Sequence, residues 1–185
     1  MSPYALSDFD KNRSDDFDNA FKQLILNEGE WSNDKFDPGG KTIYGITIRD
    51  YPEYYSQVYM LWNTGRKEVA KELVKHFYKK NFWNTLYEEI PDSSLAFKIF
   101  DLSVNRGKKT AIKILQETIF FDFGKTIKRD GIFGKITLGA IQSIVNQELL
   151  YNKYIERSEA SYRLLPTFWR FGKGWINRLR KRVYV

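Results

Sequence analysis

Between Asn27 and Thr47 the chain collects side chains suited to acid–base chemistry: Glu28, then Asp34 and Asp37, then Thr42 and Thr47. Glu28 sits at the expected end of a helix and on the same stripe as apolar residues. Partial burial and the negative end of the helix dipole both disfavour its ionised form, which suits a group that must hold a proton near neutrality. On position alone, a surface glutamate that merely ends a helix explains Glu28 equally well. Asp34 and Asp37 belong to a loop that must fold back beside Glu28. They are candidates for activating a water or stabilising an oxocarbenium-like centre, with Thr42 and Thr47 placed to hold a water or a sugar's acetamido group. Residue chemistry by itself favours the plainer reading of each aspartate, an Asx-turn.

Composition narrows the chemistry further. There is no cysteine, which removes disulfides, thiolate nucleophiles and cysteine-based zinc sites. The single histidine, His76, removes most Ser-His-Asp and multi-histidine metal schemes, and it reads as a structural or partly exposed side chain. Carboxylates, tyrosine, lysine and arginine remain, which is the toolkit of a glycosidase, with no metal or cofactor implied. The formal charge is +7, from 30 basic and 23 acidic residues, and suits an anionic partner: nucleic acid, a membrane surface or a bacterial wall.

The elements that must position these residues can be read from periodicity. Phe17, Phe21, Leu24 and Glu28 fall at steps of four, three and four, which predicts a helix over 15–27 capped by Ser14 or Asp15 and stopped by Gly29. Residues 31–47 read as loop and a small β element, with Pro38-Gly39-Gly40 as a turn and Thr42-Ile43-Tyr44 as β-formers. Thr47 would cap a short helix over Ile48–Tyr51, interrupted by Pro52. A helix follows Gly65 to about Lys80, with Val69, Leu73 and Phe77 facing inward, and residues 81–91 make an aromatic connection. Further helices are expected at 93–105, 108–121, 134–146, 146–163 and 167–182. The resulting layout is an arm at 1–13, a lobe at 14–91 holding the acid, and a helical lobe at 92–185, packed together as one unit.

The residues just described also carry a family likeness. Glu28-Gly29, Asn33-Asp34, Asp37-Pro38-Gly39-Gly40, Thr42 and Tyr44-Gly45-Ile46-Thr47 closely resemble the E-G-G-Y…N-D…D-P-G-G-x-T-x-Y-G-I-T signature of glycoside hydrolase family 108. Asp101-Leu-Ser-Val-Asn105-Arg-Gly107 is similar to the family's D-x-x-V-N-x-G helix end. Leu115-Gln116, Asp130-Gly131-Ile-Phe-Gly134-Lys-Ile-Thr137 and Gly174-Trp175-x-x-Arg178 are similar to its C-terminal peptidoglycan-associated region. The resemblance implies a mostly α, lysozyme-like fold with a small β element beside the catalytic helix. It implies an N-acetylmuramidase that cleaves the β-1,4 bond between N-acetylmuramic acid and N-acetylglucosamine in peptidoglycan. Glu28 would be the acid, with Asp37 and Thr42 completing a Glu-Asp-Thr set similar to that of bacteriophage lysozymes. Trp31, Asp34, Tyr44, Thr47, Asp101 and Asn105 would contact substrate. Glu30-Trp31 departs from the family's Gly-Tyr: Glu30 would bring a like charge near Glu28 or point to solvent, and Trp31 would stack on a sugar or join the core.

The outer features have plainer readings. In Asp130–Thr137, Gly131 supplies a left-handed turn and Gly134 close packing. The stretch Phe168–Arg182 reads first as a terminal helix docking Phe168, Phe171, Trp175 and Leu179, and second as a strip for wall, membrane or nucleic acid. No apolar run approaches bilayer length and Met1–Asp18 holds no signal-peptide h-region. The expectation is therefore a monomeric phage-type endolysin, made in the cytoplasm without a classical signal. It would reach the wall in the periplasm through a lesion made by a holin-type partner. The rival readings are a non-catalytic wall-binding module and a basic nucleic-acid-binding helical protein; neither needs the Glu28–Thr47 block.

Overall fold

The computed structural model describes the backbone of residues 8–32 and 41–183, and side chains at 16–31 and 41–183. Helix α1 is Asp8–Glu28, strands β1, β2 and β3 are Trp31–Ser32, Thr42–Ile43 and Ile46–Thr47, and helices α2 and α3 are Pro52–Asn63 and Lys67–Asn81. A 3₁₀ turn, Thr85–Glu89, precedes α4 (Ser93–Arg106), α5 (Lys108–Phe123), α6 (Lys135–Gln142), α7 (Gln147–Arg163) and α8 (Phe168–Arg180). The chain divides into two compact units, Phe17–Trp83 and Asn84–Val185 with Met1–Asp16.

In the unit Phe17–Trp83, the predicted stripe of α1 is the buried one: Phe17, Phe21 and Leu24 lie in the core with Ala20. The helix begins earlier than the cap residues suggested, at Asp8, because no glycine or proline interrupts residues 8–14. Pro52 does not interrupt a helix but opens one. It occupies the first turn of α2, where its missing N–H would have had no partner. Ile48–Asp50 form a turn before it. On α3 the inward stripe is Ala70, Val74 and Phe77 with Tyr78, displaced by one position from the predicted Val69, Leu73 and Phe77; Val69 is exposed. His76 is exposed. Aromatic rings fill this core: Phe21 lies 6.2 Å from Tyr78, and Phe77 meets Tyr51 edge-on at 4.7 Å.

The other unit is built round α4, buried on nearly every side from Ser94 to Ser103. Two charges lie inside that buried run. The ammonium of Lys98 donates to the carbonyls of Arg178 (3.0 Å) and Lys181 (3.2 Å), closing the C-terminal end of α8. Asp101 receives two hydrogen bonds from the Arg178 guanidinium, at 2.7 and 3.0 Å. Burial pushes the Lys98 pKa down from the ordinary lysine value, against the opposing pull of Asp101. On α8, Ile176 and Leu179 are buried, while Phe168, Phe171 and Trp175 are half-buried, with Trp175 stacked on Tyr162 at 5.2 Å.

The Asp130–Thr137 motif is organised by Gln116. Its amide nitrogen donates to Asp130 (3.1 Å) and to the carbonyl of Ile132 (3.0 Å), and its oxygen accepts from the N–H of Gly131 at 2.8 Å. The close packing expected at Gly134 belongs instead to Gly131. A Cβ there would stand 2.7 Å from the carbonyl oxygen of Lys109, and its φ is +77°, whereas position 134 faces open space. Gly131→Ala should therefore destabilise the protein by about 2 kcal/mol or more, combining left-handed strain with a backbone clash. Gly134→Ala should change stability by less than about 0.5 kcal/mol. Urea unfolding of the two variants checks the contrast.

Candidate active site

Glu28 is the last residue of α1, and the chain leaves the helix through Gly29 at φ +72°, whose N–H still reaches the carbonyl of Ile25 at 3.2 Å. This left-handed glycine ends the helix as the sequence predicted and sends the chain into β1. There β1 pairs antiparallel with β2 (Trp31 opposite Ile43, Ser32 opposite Thr42), and β2 with β3 (Thr42 opposite Thr47, Ile43 opposite Ile46). Ile43 and Ile46 face the core and are fully buried. The ladder is prolonged past Trp31 by a bond from the N–H of Tyr44 to the carbonyl of Glu30 at 2.9 Å.

Tyr44 and Gly45 make the two-residue turn between β2 and β3. Both have positive φ, +48° and +77°. That pair of values belongs to the tight hairpin turn whose twist matches the strands, and the first position normally holds asparagine or aspartate. A tyrosine there costs about 1–2 kcal/mol of backbone strain. The compensation is burial of its ring, 1% exposed, together with a bond from the Tyr78 hydroxyl to its carbonyl at 2.9 Å. The Tyr44 hydroxyl is itself buried without a hydrogen-bond partner among the described residues. Burial raises its pKa, and the charge of Glu30 adds to the effect.

The Glu28 carboxyl rests on this turn. A Cβ built on Gly45 would lie 2.7 Å from Glu28 Oε2, 2.9 Å from its Cδ and 2.6 Å from the Tyr78 hydroxyl. Three elements thus converge on one glycine: the end of α1, the β2–β3 turn and the last turn of α3. Glu28 as a whole is half-buried there.

The remaining predicted residues fall into three groups. Thr42 and Thr47 are brought to the same hairpin, opposite each other, and Thr42 is half-buried. The Thr47 hydroxyl donates to Asp50 (2.8 Å) and accepts from the Asp50 N–H (3.0 Å), so it pins the turn leading to α2. Trp31, on β1, is 46% exposed and presents an aromatic surface. Asp101 and Asn105 belong to the other unit. Asp101 faces Arg178 there, and Asn105 accepts from the Tyr162 hydroxyl at 2.5 Å. Asp34 and Asp37 lie outside the described residues. Glu30 does not act as a stray like charge: it pairs with Lys67 at 3.1 Å, and that hydrogen bond and charge hold its pKa below the ordinary value. Tyr78, whose hydroxyl reaches the Tyr44 carbonyl, was not singled out in the sequence, where the stripe read on α3 was Val69, Leu73 and Phe77.

The family model described as Glycosyl hydrolase 108 matches residues 21–107, a span that holds Glu28, the hairpin and all of α4. These residues form a glycosyl hydrolase 108 domain. The solved structure of Brucella abortus SagA is similar over 88% of this chain and 88% of its own, with a TM-score of 0.68 and 25% sequence identity. No curated relative matches the sequence. The likeness to SagA and the eight described helices with one small antiparallel sheet bear out the mostly α, lysozyme-like fold. The domain makes this chain a glycoside hydrolase of the peptidoglycan-degrading kind. No helix among its described residues is long and apolar enough to cross a membrane.

Gly45 leaves no room for a side chain. Gly45→Ala should destabilise the domain by about 1–3 kcal/mol, since the added methyl meets two oxygens and the backbone is left-handed. Thermal unfolding followed by circular dichroism measures the loss. Lys67→Met, by contrast, removes an exposed ion pair with Glu30 and a cation–π contact with Trp62, and should shift stability by less than about 1 kcal/mol.

Proposed function

We propose that the enzyme hydrolyses the β-1,4 bond between N-acetylmuramic acid and N-acetylglucosamine in peptidoglycan, with Glu28 as general acid. The observation that carries this reading is the seat of the Glu28 carboxyl on Gly45, inside the span matched by the family. In the reaction, protonated Glu28 gives its proton to the glycosidic oxygen as the bond from that oxygen to the muramic acid C1 breaks. The electron pair of that bond leaves with the oxygen, and positive charge develops on C1. Asp37 (or Asp34), with Thr42, stabilises that charge or orients the water that adds to C1, and a proton from the water restores the carboxyl group. The separation of the two carboxylates then sets whether configuration at C1 is retained or inverted.

Substrate contacts follow the same hairpin. Trp31 offers an aromatic face to a pyranose ring, and Thr47 and Tyr44 shape the turn from below. Asp101 and Asn105 serve substrate through the helix end they organise. The biological setting we favour is a phage-type endolysin acting on the bacterial wall as a monomer after a holin-type partner opens the membrane.

Glu28→Gln keeps the size and packing of the side chain and removes the transferable proton. It should lower the rate of wall digestion by about 10²–10⁴-fold without loss of folding. Mass spectrometry of the wild-type digest should show fragments with N-acetylmuramic acid at the reducing end. Clearing by the glutamine variant at the wild-type rate, or fragments ending in N-acetylglucosamine, would contradict the assignment.

A further inference from the structure

We infer that Tyr78 is a positioning residue for the acid: its hydroxyl holds the Tyr44-Gly45 turn beneath Glu28 and walls the carboxyl on one side. The inference rests on the reading of Glu28 as general acid. Its starting point is the chemistry of α3, where Tyr78 is one of four aromatic side chains packed together. The ring sits 6.2 Å from Phe21, 5.2 Å from Phe77 and 5.8 Å from Phe82, all of them phenylalanines. Packing in such a cluster asks for nothing more than a fourth phenylalanine. A buried hydroxyl there is unfavourable unless it is bonded.

The hydroxyl is bonded, to the carbonyl of Tyr44 across 34 residues of sequence, at 2.9 Å. Tyr44 is the strained residue of the turn, a non-glycine at φ +48°. Without this bond the turn loses the tie that anchors its carbonyl to α3. The same oxygen and Glu28 Oε2 would both stand within 2.7 Å of a single Cβ at position 45. The phenol therefore borders the space the carboxyl occupies, and Gly45 supplies the floor. A shift of the turn removes the surface on which the carboxyl rests, and displacement of the carboxyl by about 1 Å is enough to cost on the order of 10²-fold in rate.

Tyr78→Phe tests this, because it removes one oxygen and leaves the ring packing intact. With soluble glycan strands as substrate, kcat, normalised to the folded fraction by circular dichroism, should fall roughly ten- to a hundredfold. KM should stay within about twofold of wild type. Placing 4-aminophenylalanine at position 78, which restores a donor at the same point, should recover much of kcat. A phenylalanine variant with wild-type kcat, a loss carried by KM alone, or no recovery with the amino analogue would overturn the inference. Glu28→Gln assayed beside it separates the two readings. If that variant keeps wild-type kcat, the assignment of the acid falls, and Tyr78 with it. If it is inactive while Tyr78→Phe is fully active, only the role of Tyr78 falls.

Discussion

The constraint on which this site depends is the absence of a side chain at Gly45. The turn needs a left-handed residue there, at φ +77°, and the two oxygens above it leave no room for a methyl group. Backbone conformation and packing thus select glycine independently at one position. Because the turn is two residues long, its geometry is set by strand register: Ile43 must meet Ile46, with both side chains in the core. A one-residue slip would turn both isoleucines outward and carry Gly45 away from Glu28. The place of the carboxyl is in this way coupled to hydrophobic burial.

The helix that carries Glu28 is anchored at a distance from its chemistry. Phe17, Ala20, Phe21 and Leu24 bury one face, and Asp18 pairs with Lys75 of α3 at 2.8 Å. Packing therefore sets the rotation of α1, and rotation sets where the final side chain points. Gly29 then ends the helix one residue beyond Glu28, so that this side chain projects from the end of α1 and the chain turns at once into the sheet. Strands β1 and β2, which flank Asp34 and Asp37 in sequence, are paired at Ser32 and Thr42. In the other unit, Lys98 and Asp101 join α4 to the end of α8 through buried, directional bonds. Loss of one partner there would leave a buried charge uncompensated, the costly case for an ion pair.

What was legible in the sequence was whatever has a local cause. The stripe on α1 and its glycine stop follow from helical period and from φ. The boundary between α4 and α5 follows Asn105-Arg106-Gly107, and α7 ends shortly before Pro166. Glu28 and the hairpin threonines were visible as a motif; in the structure Glu28 is seated at Gly45, and Thr42 pairs with Thr47. Features with distant partners were not legible. Glu30 meets Lys67, Tyr78 meets the Tyr44 carbonyl, and Asp101 meets Arg178 across spacings of 37, 34 and 77 residues. Residue types alone cannot distinguish a carboxylate that awaits substrate from one that awaits an arginine. The stripe of α3 differs by one position because valine at 69 and alanine at 70 both fit an apolar pattern, and only the burial of Ala70, Val74 and Tyr78 in the folded core decides between them.

The most direct measurement of the central claim is a crystal structure of the Glu28→Gln enzyme with a bound peptidoglycan fragment. The account predicts a glycosidic oxygen within about 2.6–3.2 Å of the residue 28 side chain, which remains seated on Gly45. A fragment bound with its scissile oxygen out of reach of position 28, next to a different acid, would contradict it.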